Sequence, residues 1–248
     1  MTKIMWRKIA TLALAVLIPM AGACSPPVAD EPAAPRRPAL AAPEPAPAAP
    51  RQAGAPRVVF LGDSLTAGLG LDETEAYPAL VERKLEDEGL PIEAVNAGVS
   101  GDTSAGGLSR LDWLLSQKPD ALVVGLGGND GLRALPVEST EKNLREIVRR
   151  AQAAGVRVLL LGMRIPPNYG PDYTTRFAAM YPRIAEDLDV PLVPFLLDRV
   201  GGIRELNQPD GIHPTAEGQE ILAENVAPYL EELLREPAEA RAAAAGSG

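Results

Sequence analysis

The chain has 248 residues, of which 46% are hydrophobic and 23% charged, with a formal net charge of −9 at neutral pH. That composition is globular, and the acidic balance excludes binding of nucleic acid or anionic lipid by charge, which needs clustered Lys and Arg. One Cys allows no intramolecular disulfide, and one His leaves no ligand set for a conventional transition-metal site, so no metal or other cofactor is expected.

At the N-terminus, Lys3, Arg7 and Lys8 precede an apolar run from Ile9 to Met20, and Ala21, Gly22 and Ala23 follow it. The run is short for a bilayer-spanning helix, so residues 1–23 read as an export signal. Cys24 is either an incidental thiol there or the lipidated first residue of the mature chain. The second reading rests on "AGAC", which resembles a bacterial lipoprotein signal with Ala21 standing where Leu is more usual. It implies a lipid-anchored protein of the cell envelope or periplasm, and the absence of Asp after Cys24 leans toward the outer membrane. Removing residues 1–23 takes away three basic and no acidic residues, moving the net charge from −9 to −12. A lipid on Cys24 is therefore the only membrane contact expected.

Residues 24–56 are rich in Pro and Ala and lack aromatics and apolar periodicity, the signature of an extended tether. Residues 236–248, "PAEARAAAAGSG" and the residue before it, read as a flexible tail, which leaves one domain over 57–235. Within it the strand candidates are Arg57–Leu61, Ile92–Asn96, Ala121–Leu126, Val156–Gly162 and Pro191–Phe195. Helical patterns fall at Tyr77–Asp87, Gly107–Gln117, Thr140–Ala154, Tyr173–Asp187 and Thr215–Leu234. Apolar runs alternating with amphipathic segments predict an α/β fold, a parallel sheet buried on both faces by helices. In such a sheet, ligands bind at the carboxyl ends of the strands.

Three loops at those ends stand out. After the first strand comes Gly62-Asp63-Ser64, in which Ser64 is either a nucleophile at the positive end of a helix or simply that helix's cap. It is not the G-x-S-x-G elbow, because the fifth position is Thr66. After the second strand, Gly98 opens a Gly-rich loop and can offer its N–H to a ligand. After the third, "GLGGNDGLR" fails the dinucleotide pattern G-x-G-x-x-G at Asp130, but Asn129 can donate to an oxyanion. Near the C-terminus, "DGIHP" holds the one His of the chain, His213, three residues after Asp210. Asp210 can hold one ring nitrogen and leave the other for Ser64. Asp63 and Asp130, beside these positions, read as structural hydrogen-bonding groups.

Together "GDSL", Gly98, "GGND" and "DGIHP" resemble the four sequence blocks of the SGNH (GDSL) hydrolases over essentially all of 57–235. "SGDTSAGGLSRL" and "MRIPPNYGPDYTTRFAAMYP" make the bacterial thioesterase/lysophospholipase/arylesterase subgroup the nearest match. The resemblance implies a flavodoxin-like fold with a five-stranded parallel sheet in the order 2-1-3-4-5. It also implies Ser64 as nucleophile, His213 as general base and then acid, and Asp210 as its orienting partner. The oxyanion hole would be the N–H groups of Ser64 and Gly98 with the Asn129 side chain. Leu132, Pro167 and Tyr169 would line the acyl pocket, and the substrate would be a small acyl ester or thioester. Two alternatives stand beside this: a carbohydrate O-deacetylase, and a catalytically idle envelope-binding lipoprotein. No oligomeric state follows from the sequence.

Overall fold

The computed structural model describes residues 54–235. The stretches read as export signal and tail, Cys24 and most of the stretch read as a tether therefore lie outside the described residues. Five strands, β1 (Arg57–Gly62), β2 (Glu93–Gly98), β3 (Ala121–Gly125), β4 (Arg157–Leu161) and β5 (Leu192–Val193), form one sheet. All neighbours are parallel and the order is β2-β1-β3-β4-β5, as expected.

The chain moves outward from β1 to β2 and then back through β3 to β5. Right-handed crossovers therefore put helices on opposite faces. One layer pairs α2 (Tyr77–Asp87) with α8 (Ala216–Arg235). The other pairs α6 (Val137–Ala153) with α7 (Pro171–Leu188), and α3 (Ser104–Ser109) rests on α6. The short helices α1 (Ser64–Ala67), α4 (Leu111–Ser116) and α5 (Gly128–Leu132) complete the set.

Three expectations needed correction. β1 and β3 are buried throughout, but β2 is only half-buried, because it is an edge strand and carries Glu93 and Asn96. β5 has two residues instead of five: Pro191 and Pro194 flank it and lack the N–H groups that a ladder requires. The single helix expected over 107–117 is two, α3 and α4, broken at Arg110 (φ −103°, ψ 2°). There the Arg110 side chain turns back to Asp102 Oδ2 (2.8 Å) and the Gly62 carbonyl (3.0 Å).

The register positions the site. Gly62 pairs with Gly98 on one side and Gly125 on the other, so a row of glycines crosses the carboxyl edge of three adjacent strands. A methyl at Gly62 would collide with Thr66 Oγ1, and one at Gly98 with the backbone of Ala67 and Asp63. The row lets α1 sit directly on the end of the sheet.

Candidate active site

β1 delivers the chain to Asp63, and the sequence leaves open whether Ser64 or another group caps the next helix. Asp63 is the cap: its Oδ1 accepts the N–H of Leu65 at 3.0 Å. Ser64 is thus the first helical residue, with its hydroxyl released from capping and its N–H lacking an intrahelical partner. Behind it, Thr66 Oγ1 meets the Tyr77 hydroxyl at 3.0 Å, and burial pushes that phenol well up. Gln219 of α8, almost wholly buried, accepts the Tyr77 N–H (2.9 Å) and donates to the Leu65 carbonyl (3.2 Å). One amide therefore clamps α1, α2 and α8 together.

His213 stands on a loop closed at its base. Thr215 N–H donates to the Leu206 carbonyl (3.0 Å), Gln208 N–H to the His213 carbonyl (2.7 Å), and Gln208 Nε2 to Leu69 O (2.7 Å). Inside the loop, Asp210 Oδ1 accepts the N–H groups of Ile212 (2.9 Å) and His213 (3.0 Å). Asp210 Oδ2 lies 2.6 Å from His213 Nδ1, and His213 Nε2 lies 2.9 Å from Ser64 Oγ. The bond to the His213 ring, with the two backbone N–H groups, holds the Asp210 carboxyl down to about 2. An ionised Asp210 is acceptor-only, so Nδ1 carries the proton and Nε2 is left to accept from Ser64. Residues 149 positions apart in sequence thus form a continuous Asp–His–Ser chain of hydrogen bonds.

The three oxyanion candidates are also found at this edge. Asn129 is the second residue of α5, which follows β3; one N–H of its amide donates to Asp63 Oδ2 (3.3 Å). Gly98 ends β2, and its N–H donates to Asn96 Oδ1 at 3.0 Å, so that donor already has a partner. Asp130 accepts from Ser104 N (2.8 Å), Ser104 Oγ (2.5 Å) and Thr140 Oγ1 (3.2 Å), the structural role read from the sequence.

Asp63 is only 2% exposed, and burial raises its carboxyl to about 6 against the pull of the Leu65 and Asn129 hydrogen bonds. The native state therefore holds this proton more tightly than the unfolded chain. Its contribution to stability falls as pH rises from about 4 through about 6, by roughly 3 kcal/mol in all. Urea unfolding across that window is expected to show the fall in the parent and its loss in Asp63→Asn.

Leu132 and Tyr169, both named as pocket residues, meet: the Tyr169 hydroxyl donates to the Leu132 carbonyl at 2.7 Å. Pro167 opens the short 3₁₀ turn carrying Tyr169 and is exposed. A cavity of about 450 Å³ lies along the loop before His213, lined by Ile203, Arg204, Asn207, Gln208 and Pro209. Of the six exposed large apolar side chains among the described residues, Leu69, Val99, Leu135, Ile203 and Ile212 lie in the connections that leave the carboxyl ends of the strands; Trp113 is on α4.

Sequence reasoning missed the capping role of Asp63 and the clamp formed by Gln219. The first had a signal, since Asp is as good a cap as Ser and precedes it. The second had none, because only the packing of α8 on α2 brings Gln219 to Tyr77.

An α/β sheet carrying this hydrogen-bonded Ser, His and Asp at its carboxyl edge defines the class of serine hydrolases. The sequence pattern of the GDSL-like lipase/acylhydrolase family matches residues 60–221, and the chain belongs to that family. It is 47% identical over 185 residues to the esterase TesA of Pseudomonas aeruginosa, covering 74% of this chain and 92% of that one. The Escherichia coli protein named thioesterase 1/protease 1/lysophospholipase L1 is 42% identical, over 74% of this chain and 88% of its own. Among solved structures, that of TesA superposes with a TM-score of 0.69, covering 71% of this chain and 99% of that chain. The esterase EstA of Pseudoalteromonas sp., in a form inhibited by monoethylphosphonate, also gives 0.69, at 36% identity, over 73% of this chain and 99% of its own. The protein is thus a serine esterase of the arylesterase, thioesterase and lysophospholipase type.

Proposed function

We propose that the reaction is two-step acyl transfer through Ser64. Ser64 Oγ attacks the carbonyl carbon of an ester or thioester while its proton passes to His213 Nε2. The carbonyl π pair moves onto oxygen, and that oxyanion is met by the N–H of Ser64 and the free N–H of Asn129. Gly98 joins them by sharing the N–H now given to Asn96. The tetrahedral species collapses, the C–O or C–S bond breaks, and the leaving alkoxide or thiolate takes the proton from His213. Water then repeats the sequence on the acyl-Ser64 and releases the acid. The observation that carries this reading is the pair of contacts made by one imidazole, 2.6 Å to Asp210 and 2.9 Å to Ser64.

Leu132, Pro167 and Tyr169 form one wall of the acyl pocket in this reading. The exposed apolar side chains on the strand-end loops favour an acyl chain over a sugar, and so favour lipid-like and aryl esters over carbohydrate acetates. The protein acts in the cell envelope after export, held by a lipid on Cys24. Support for the anchor is confined to the sequence around Cys24; among the described residues no helix is long and apolar enough to cross a membrane.

A panel of p-nitrophenyl esters from acetate to palmitate, with palmitoyl-CoA and lysophosphatidylcholine, tests the substrate class. Hydrolysis with kcat/KM rising beyond acetate is expected. Activity confined to acetylated sugars would move the assignment to a deacetylase.

A further inference from the structure

Asp63 is nearly isolated from solvent, yet it lies between the two groups that the mechanism needs most. Its backbone leads directly into Ser64, its Oδ1 caps α1 through Leu65 N at 3.0 Å, and its Oδ2 takes one N–H of Asn129 at 3.3 Å. A methyl on Gly128, beside Asn129, would stand 3.3 Å from the same Oδ2, so α5 is packed closely on this carboxylate.

The chemistry of the two side chains makes this contact directional. A side-chain amide has a donor end and an acceptor end of nearly equal shape, and turning it over exchanges them. An Asn at the edge of an oxyanion hole therefore faces a choice: N–H toward the developing charge is stabilising, whereas C=O toward it is repulsive. An ionised carboxylate has no proton to donate, so only the NH₂ end of Asn129 satisfies Asp63. Because the two N–H bonds of that NH₂ group diverge within one plane, engaging one by Asp63 points the other away from it. No second partner for that amide nitrogen exists among the described residues.

We infer that Asp63 is the positioning residue of the oxyanion hole, holding the Asn129 amide in the one orientation that donates to the reacting carbonyl oxygen. The inference rests on the mechanism proposed above. It explains why a carboxylate, whose charge opposes a nearby oxyanion, stands next to the nucleophile. The amide that Asp63 orients belongs to the transition state, and substrate binding gains nothing from it.

A double-mutant cycle at pH 8, where the Asp63 carboxyl is ionised, separates this role from a merely structural one. Asp63→Asn keeps the capping oxygen for Leu65, so the fold is retained, but it offers Asn129 a group that also donates. Its kcat is expected to fall by ~10- to 10²-fold with KM within about twofold. Asn129→Ala alone should lose ~10²–10³-fold in kcat. In the Asn129→Ala background, Asp63→Asn should cost nothing further, because nothing is left to orient. An equal loss in both backgrounds, or a KM that rises in step with the fall in kcat, would overturn the positioning role. Full activity in Asn129→Ala would overturn the oxyanion assignment of Asn129 itself, a different result from additivity. At pH 8 no Asp63→Asn protein is expected to melt below its own background, since the ionised carboxyl is a burden on the fold that Asn lacks, and a collapse of Asp63→Asn would make Asp63 structural.

Discussion

Ser64→Ala is expected to lower kcat on p-nitrophenyl esters by about 10⁴- to 10⁶-fold while leaving the melting temperature almost unchanged. The rate effect is large because no other group takes over. Ser64 Oγ is the oxygen that His213 Nε2 faces at 2.9 Å, and there is no second His to activate a water in its place. The fold is spared because the work of capping belongs to Asp63 and the clamping of α1 to Gln219, both untouched by the change. Adding His213→Ala to Ser64→Ala should cost little more, since a nucleophile and its base act as one unit. Loss of secondary structure in Ser64→Ala would instead mark the hydroxyl as part of the scaffold.

Asp210→Asn should be the second most damaging change, at about 10²–10⁴-fold in kcat, and its direction can be worked out from the hydrogen bonds. Oδ1 accepts two backbone N–H groups, from Ile212 and His213, so an Asn must keep its carbonyl oxygen there. Its NH₂ then replaces Oδ2 and faces His213 Nδ1, where it can only donate. Nδ1 becomes the acceptor, the ring proton moves to Nε2, and Nε2 no longer accepts from Ser64. The variant should therefore be at least as slow as Asp210→Ala, although Asn is the closer match in shape. Asp210 has a side chain 45% exposed, so neither variant is expected to melt early. Asp210→Ala losing much more rate than Asp210→Asn would contradict the tautomer argument.

Much of this was legible in the sequence because the features that carry it are local. Strand β1 is a continuous apolar run that ends at Gly62, helix α2 was delimited at Tyr77–Asp87, and "DGIHP" puts a carboxylate three residues from the lone imidazole. What stayed hidden depends on register and packing. The glycines at 62, 98 and 125 each end a strand, but only the pairing of three strands makes them a row on which α1 can sit. Arg110 breaks a helix because Asp102 and the Gly62 carbonyl are within its reach, and Gly62 is 48 residues away in the chain. Asp63 was read as an ordinary hydrogen-bonding group because its partner Asn129 comes from α5, two strands later. The edge position of β2 explains why its burial did not follow the pattern of its neighbours, and the two prolines explain the brevity of β5.

The central claim is that Ser64 is a nucleophile primed by His213. It is tested most directly by treating the folded protein with a fluorophosphonate and reading the intact mass and the modified peptide. The account predicts a single adduct on Ser64, absent in Ser64→Ala and greatly slowed in Asp210→Asn. No adduct on the folded protein, or one on a different serine while ester hydrolysis is blocked, would contradict it.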